Sequence, residues 1–199
     1  MKTSRTILFV SVLLFVISVN AQEKKVTFGL KAGLNLSSVG SEDGDYDNTK
    51  TKPGFHAGIT LDCAFSPHWY LLTGLEYTLK GVKLELSPKD QTVTAGYIQL
   101  PISGAFKFRF SEELAILAYA GPYFAYGING KIKQGSNEQD TFSDIALKEF
   151  DCGMNAGVGL EWKKLCFSLG GEVGMVNIMQ KNNDEAQTRN FTLSAGYKF

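Results

Sequence analysis

Beyond its first 21 residues the sequence has no long apolar run. No later segment approaches the roughly 18 uninterrupted apolar residues that a membrane-spanning helix requires, so the sequence predicts no such helix after residue 21. Cysteine is also scarce, because Cys63, Cys152 and Cys166 are the only three and lie far apart. An odd, scattered set of this kind is typical of neither a disulfide framework nor a metal site. The sequence indicates no cofactor.

An excess of charge of one sign is missing as well. The chain carries 20 basic and 20 acidic side chains, and loss of Lys2 and Arg5 with a signal peptide would leave 18 basic against 20 acidic residues, a net charge of −2. A near-neutral chain lacks the basic excess that favours nucleic acid as a partner. The length of 199 residues fits one domain.

The N-terminus has the three parts of a secretory signal peptide. Lys2 and Arg5 precede the apolar run Ile7–Val19, and small residues suited to cleavage follow at Val19-Asn20-Ala21. The alternative is a retained N-terminal anchor, but the apolar run is short for a transmembrane helix. No cysteine stands at the cut, so no lipid anchor is expected. We therefore predict a signal peptide over residues 1–21 and one mature domain over residues 22–199.

Apolar residues recur at every second position in eight segments of the mature domain. In the last segment, for example, Phe191, Leu193, Ala195, Tyr197 and Phe199 alternate with polar or small residues. Strict alternation indicates a β-strand with two different faces. The fifth segment is apolar on both phases and contains Pro122, so its sequence does not decide which side chains face inward. The eight segments span residues 28–36, 55–63, 69–79, 98–108, 114–127, 150–162, 165–175 and 189–199.

Charged residues inside these segments all fall on the phase opposite to the apolar one. A charge facing lipid costs roughly 2–4 kcal/mol near the membrane midplane, and this placement avoids that cost throughout. A soluble barrel would put its bulky apolar residues inside, whereas here the polar phase is the one rich in glycine and small residues. We predict a network of charges in the lumen of a barrel, formed by Lys31, Asp62, Glu76, Lys80, Lys107, Asp151, Glu161, Glu172 and Lys198.

The connections between the segments alternate between short and long. Short connections at one rim and long polar loops at the other are typical of outer-membrane barrels. The short ones span residues 65–68, 109–113 and 163–164; the long ones span 38–53, 81–92, 130–148 and 177–187. We predict an all-β fold, an eight-stranded antiparallel up-and-down transmembrane β-barrel, located as a monomer in the lipid of the cell outer membrane.

The final segment is expected to have two roles. An open sheet edge cannot exist in hydrocarbon, so the last strand must close against the first. An alternating strand with a terminal aromatic also resembles the signal that the outer-membrane assembly machinery reads. The residues predicted to form that signal are Phe191, Leu193, Tyr197 and Phe199.

Five stretches together resemble the PorT-like family of outer-membrane β-barrel proteins from Gram-negative bacteria. The resemblance implies an eight-stranded barrel with both termini in the periplasm, and it implies no single activity. One class of members assists protein secretion. The stretches are GLKAGLNLS (Gly29–Ser37), YIQLPISGAFKF (Tyr97–Phe108), AGPYFAYGINGK (Ala120–Lys131), FDCGMNAGVGLEW (Phe150–Trp162) and the terminal LSAGYKF.

Few residues suggest catalytic or metal chemistry. His68 is expected in a short turn, and His56 in the lumen, where a serine or aspartate from another strand could pair with it. Nothing singles out a nucleophile, so we expect no enzyme; a lipid-modifying enzyme is the less favoured alternative. The acidic stretch Glu42–Asn48 has carboxylates spaced as in a calcium loop but lacks the glutamate at the twelfth position. It is interpreted as a solvated loop, with cation binding as the alternative.

Two functions remain open at this stage. In the first, the protein is a non-conducting barrel whose long external loops bind an extracellular ligand or an envelope protein. In the second, it is an accessory of protein secretion or envelope assembly that acts with periplasmic partners. The large loops favour the first function, because binding residues gather on exposed loops of rigid scaffolds.

Overall fold

The computed structural model describes residues 26–41, 44–45, 49–84, 91–134, 137–142, 148–176 and 187–199. The predicted signal peptide at residues 1–21 lies outside the described residues. Within the described part of the chain no helix is long and apolar enough to cross a membrane.

The described residues form ten β-strands, of which eight are long. Alternating apolar and small residues favour extended backbone, since successive side chains of a strand point to opposite faces. The strands are β1 (Val26–Ser41), β2 (Gly44–Asp45), β3 (Thr49–Ala64), β4 (Trp69–Leu84), β5 (Gln91–Arg109), β6 (Leu114–Gln134), β7 (Asn137–Asp140), β8 (Phe150–Trp162), β9 (Leu165–Gly174) and β10 (Gln187–Lys198).

The eight long strands close into an antiparallel barrel. Each pairs with its neighbours in chain order, and β10 pairs with β1 over a ladder that runs from Gly29–Lys198 to Gly40–Gln187. The N–H of Phe199 donates to the carbonyl of Phe28 at 3.0 Å, one step beyond that ladder. The short strands β2 and β7 pair antiparallel with the ends of β1 and β6. The predicted eight-stranded antiparallel barrel is confirmed.

Burial is inverted relative to a soluble protein. The buried set is mainly polar, with Asn35 and Asp151 fully buried, whereas large apolar side chains such as Phe28 (63% exposed) and Leu34 (62% exposed) cover the outside. In water such a surface would be strongly unfavourable, but it matches a hydrocarbon environment. The polar phase of the strands therefore lines the lumen, and the apolar phase faces lipid.

The structure also decides the facing of the fifth segment, which lies in β6. Leu117 and Tyr123 point into the lumen, while Ile116, Pro122 and Phe124 point outward. Pro122 fits in β6 because the ladder between β5 and β6 has a gap at this point. The paired residues run from Pro101–Tyr123 directly to Gly104–Ala120, and the register is the same on both sides of the gap. Pro122 has no N–H to donate to that ladder.

The two rims of the barrel differ. Residues 65–68, 110–113 and 163–164 make short turns at the end where Val26 and Phe199 lie, which we call the turn rim. At the opposite end, the loop rim, strands extend further than alternation predicted: β5 begins at Gln91 and β6 ends at Gln134. Backbone pairing continues there beyond the alternating segments.

Candidate functional site

One group of the predicted lumen charges lies close to the turn rim. Lys198 forms ion pairs with both Asp62 and Glu161. The Nζ atom of Lys107 lies 2.7 Å from Glu161 Oε2 and 4.1 Å from the centroid of the Tyr70 ring. Two cations and two anions thus neutralise each other across β3, β5, β8 and β10. These ion pairs cross the lumen just inside the turn rim.

A second group crosses the lumen at mid-height. The Nζ atom of Lys31 lies 2.6 Å from Glu76 Oε2. Gln99 Nε2 donates to Glu76 Oε1 at 3.2 Å and to Glu172 Oε1 at 2.6 Å, which joins the two carboxylates through one amide. Asn190 Nδ2 donates to the other oxygen of Glu172 at 3.1 Å. Glu172 therefore accepts bonds on both carboxylate oxygens.

Lys80 and Asp151 form the upper part of this group. Lys80 Nζ lies 3.0 Å from Glu172 Oε2 and 3.8 Å from Asp151 Oδ2, and the side chains of Lys80 and Asp151 are 4% and 0% exposed. The ammonium also lies 4.4 Å from the Tyr123 ring centroid, within cation–π range. Tyr123 Oη donates to Asp151 Oδ2 at 3.2 Å. The structure thus brings the nine predicted lumen charges into two groups of paired side chains.

An aromatic cluster of Tyr97, Tyr123 and Phe142 lies above these charges at the loop rim; we call it the aromatic cap. The Phe142 ring packs edge-on against Tyr97, with ring centroids 5.4 Å apart. A Cβ atom on Gly127 would lie 2.2 Å from Phe142 Cζ, so only glycine leaves room for the ring. Sequence reasoning missed that Phe142, which falls in a predicted external loop, folds back over the barrel mouth.

His56 lies in the lumen, and the structure supplies two partners that sequence reasoning missed. Its Nε2 atom is 2.8 Å from Ser194 Oγ, and its Nδ1 atom is 2.7 Å from Asn35 Oδ1. Asn35 Nδ2 faces the carbonyls of Phe55 (3.1 Å) and Leu79 (3.2 Å), which fixes the orientation of the amide. His56 Nδ1–H therefore donates to Asn35, and Nε2 accepts the hydroxyl hydrogen of Ser194.

The cross-strand register explains why His56 reaches Ser194. Gly33 pairs with His56 on one side and with Ser194 on the other, so it lies between them in one row of the sheet. A Cβ atom on Gly33 would lie 2.5 Å from His56 Cε1. The sequence signal for this contact is a glycine that lies between polar residues of the two neighbouring strands. It can be recognised only when the register of the strands is known.

The Asn35–His56–Ser194 arrangement has the connectivity of an orienting group, a base and a nucleophile, in that order. Catalysis of acyl transfer also needs N–H donors aimed at the developing oxyanion. Ser194 and its neighbours on β10 pair with β1 on one side and β9 on the other, so their N–H groups belong to the sheet ladders. All three side chains are buried in the lumen. The geometry is that of a buried polar contact between strands.

The remaining predicted residues fall at the surface or outside the described part. His68 lies in the first turn, where Nδ1–H donates to the Lys107 carbonyl at 3.2 Å. Of the acidic stretch at residues 42–48, only Gly44–Asp45 is described, as strand β2; the other positions, and with them the suggested cation ligands, lie outside the described residues. The three cysteines are free and partly buried. The four predicted assembly residues face outward: Phe191, Leu193, Tyr197 and Phe199.

Comparison with known families identifies the fold's setting. A family model described as "outer membrane protein beta-barrel domain" matches residues 20–180, which is most of the chain. The chain belongs to this family. It is an integral β-barrel protein of the cell outer membrane, as its apolar exterior and closed sheet require. A comparison with curated protein sequences gives no significant match.

Solved outer-membrane barrels share the fold of this family member at low sequence identity. Neisserial surface protein A is 11% identical, with a TM-score of 0.51 and coverage of 86% of this chain and 97% of that chain. OprG from Pseudomonas aeruginosa is 12% identical, with a TM-score of 0.51 and coverage of 87% and 95%. At such identities the likeness concerns the fold alone.

Proposed function

We propose that the protein is a closed, non-conducting outer-membrane barrel that acts by binding an extracellular ligand or a neighbouring envelope protein through its loop rim. The observation that carries the proposal is the blocked lumen, which side chains cross at successive heights and in which a cavity of about 140 Å³ is left. Ion pairs near the turn rim, the mid-height charges and the aromatic cap follow one another along the barrel axis. Eight strands enclose a space that side chains just fill. A barrel blocked in this way serves as a scaffold and not as a pore.

The loop rim is the end at which β5 and β6 extend beyond the alternating segments. In outer-membrane barrels the short turns face the periplasm, which assigns the loop rim to the cell exterior. There β6 and β7 form a hairpin in which Lys131 and Lys133 each lie 3.2 Å from Glu138. Exposed segments carried by a rigid scaffold are where binding residues gather. No enzymatic step is proposed, since the backbone N–H groups of β10 around Ser194 belong to the ladders with β1 and β9.

Planar bilayer recording of the purified protein tests the closed lumen. We expect no steady conductance from the wild type, because breaking a buried ion pair to admit water costs about 3–5 kcal/mol. A variant that lacks residues 135–136 and 143–147 should remain folded, as seen by its heat-dependent migration on gels, and should lose the surface interaction. Steady conductance in the wild type would contradict the proposal.

The second candidate is the PorT-like role as an accessory of secretion or envelope assembly. One observation favours it: a basin of about 640 Å³ opens at the turn rim. Charged side chains that line it include Asp62, Lys107, Arg109 and Lys164. A periplasmic protein segment could dock there by ion pairing. Cross-linking from the turn at residues 163–164, compared with cross-linking from the β6–β7 hairpin, distinguishes the two candidates by the compartment of the captured partner.

A further inference from the structure

The segment that follows β7 turns back into the mouth of the barrel at the loop rim. Thr141 and Phe142 come directly after three exposed residues, Glu138–Asp140, yet Thr141 is fully buried. Phe142 packs against a buried cluster of side chains that consists of Ala95, Tyr97, Tyr123 and Ala125. We call Thr141 and Phe142 the plug.

Hydrogen bonds attach the plug to the barrel wall. The N–H of Thr141 donates to the carbonyl of Gly130 at 3.3 Å, and Thr141 Oγ1 donates to the carbonyl of Thr94 at 2.8 Å. After Phe142 the chain returns to β6, where the N–H of Gly127 donates to the carbonyl of Glu149 at 2.7 Å. The chain is therefore bonded to β6 both before and after Phe142.

Two glycines of β6 form the seat of the plug. A Cβ atom on Gly127 would lie 2.2 Å from Phe142 Cζ, and a Cβ atom on Gly130 would lie 2.8 Å from Thr141 Oγ1. Glycine within a strand often marks a place where another group approaches the backbone closely. A side chain at either position would force the plug to move, so the wall has a notch that fits these two residues.

The plug lies above the charges at mid-height. The rings of Phe142 and Tyr97 are edge-on with centroids 5.4 Å apart, and Lys80 Nζ lies 5.8 Å from the Tyr97 centroid. Lys80 Nζ also lies 3.0 Å from Glu172 Oε2. Exclusion of water lowers the local dielectric constant and strengthens such a pair. Water that entered from the loop rim would meet this ion pair first.

We propose that the plug is a displaceable closure of the outer mouth, and that its release opens the lumen to water as far as Lys80. The inference rests on the proposed closed barrel and names the part that closes it on the outer side. The plug is joined directly to β7, which pairs with β6 from Lys131–Asp140 to Gln134–Asn137. A molecule that binds this hairpin and draws β7 away from β6 also draws the plug out of its seat.

Cysteine labelling tests the plug. The three native cysteines are replaced by alanine, and Ala125→Cys places a reporter in the buried cluster against Phe142. The protein in zwitterionic detergent micelles is treated with a charged methanethiosulfonate reagent, and the labelling rate is followed by mass spectrometry. Phe142→Ala should raise this rate by about tenfold or more, because labelling through a local opening follows the population of the open state. Phe142→Leu keeps most of the apolar bulk and should give an intermediate rate.

Gly127→Ala tests the same contact from the side of the seat. Its methyl group should displace Phe142 and raise the labelling rate as Phe142→Ala does. The double variant should label no faster than Phe142→Ala alone, since a missing ring cannot be displaced. Two controls should label as slowly as the parent protein. Gly104→Ala adds a methyl group where the nearest atom of another strand is 3.9 Å away, and Phe110→Ala removes an exposed aromatic at the turn rim.

A second reporter separates the plug from the closed barrel as a whole. Thr192 lies between Asn190 and Lys198 on β10 and lines the cavity of about 140 Å³ in the lumen. Fast labelling of Thr192→Cys without a plug substitution would contradict the closed barrel itself. If that reporter labels slowly and Phe142→Ala, folded by its heat-dependent migration, still does not accelerate labelling of Ala125→Cys, the plug is wrong and the closed barrel stands. Equal acceleration by the two controls would overturn the plug as well.

Discussion

Charged side chains in the lumen of this barrel lie in paired groups, whereas most large apolar side chains of the described residues face outward. Glu172 illustrates the point, because its two carboxylate oxygens receive Gln99, Asn190 and Lys80. Removing one member of such a group leaves the other charges buried without a counter-charge. The free energy lost in this way exceeds the free energy that the intact pair contributes.

Glu172→Leu should therefore lower the free energy of unfolding by about 3–5 kcal/mol, because it leaves the buried Lys80 ammonium short of a partner. Urea titration in lipid vesicles, followed by tryptophan fluorescence, measures the change. Glu113→Leu is the matched control, since the Glu113–Lys163 pair at 3.5 Å is exposed and exposed pairs contribute little. Equal stability of the two variants would show that the lumen charges do not support the barrel.

The identity of the lumen residues was readable from sequence, but their partners were not. Alternation placed Lys31, Glu76 and Glu172 on one phase, since lipid excludes charge from the other. The His56–Ser194 contact depends on which residues of β3, β1 and β10 fall in one row, and period-2 patterns repeat at every register shift of two residues. The packing of Phe142 was likewise not predictable from the sequence, because it depends on the space that Gly127 leaves on β6.

At the scale of single elements, one turn holds a residue in the left-handed region, and the last strand is predicted to carry the assembly signal. Lys163 has φ of 55°, the left-handed region that a residue with a side chain occupies at a cost. It starts the two-residue turn between β8 and β9, where glycine is the usual choice.

Lys163→Gly should raise the free energy of unfolding by about 1 kcal/mol, because it relieves the left-handed strain. Lys164→Gly serves as the control and should stabilise less, since only Lys163 among the described non-glycine residues has positive φ. Both variants can be compared in the urea titration described above. A larger gain from Lys164→Gly would show that the turn strain is located elsewhere.

Replacement of Phe199 by Asp should lower the amount of protein in the outer membrane and increase degradable material in the periplasm. The Phe199 side chain is exposed on the apolar outer face at the turn rim, so Asp replaces apolar surface there by a charge and opposes insertion. Immunoblots of membrane and periplasmic fractions measure the distribution. Phe110→Asp, at an exposed aromatic of another turn, is the control that separates a signal effect from a general loss of apolar surface.

At the scale of the whole molecule, the two rims of the barrel differ in the length of the connections between strands. Turns of two to four residues close one rim, whereas the loop rim carries strand extensions and the long connections. This asymmetry was predictable from the sequence, because strand period and loop length are both local properties.

An epitope tag inserted between residues 135 and 136 should be accessible to antibody on intact cells. A tag inserted between Lys163 and Lys164 should be accessible only after the outer membrane is permeabilised. Exposed connections between strands accept insertions at small entropic cost, so both proteins should fold. Antibody labelling of intact cells at the second position would invert the orientation of the barrel.

The hydrogen bond between Phe199 and Phe28 brings the two ends of the described barrel together. A closed ring of strands has no intrinsic first member, so a short linker between the ends and a new opening between residues 135 and 136 would generate a circular permutant. The permutant should retain the same eight-strand ring, since no contact between neighbours is lost in the wall. It would end on β6 instead of β10, and comparison of its refolding in vesicles with its insertion in cells would separate what the ring needs from what the assembly machinery reads.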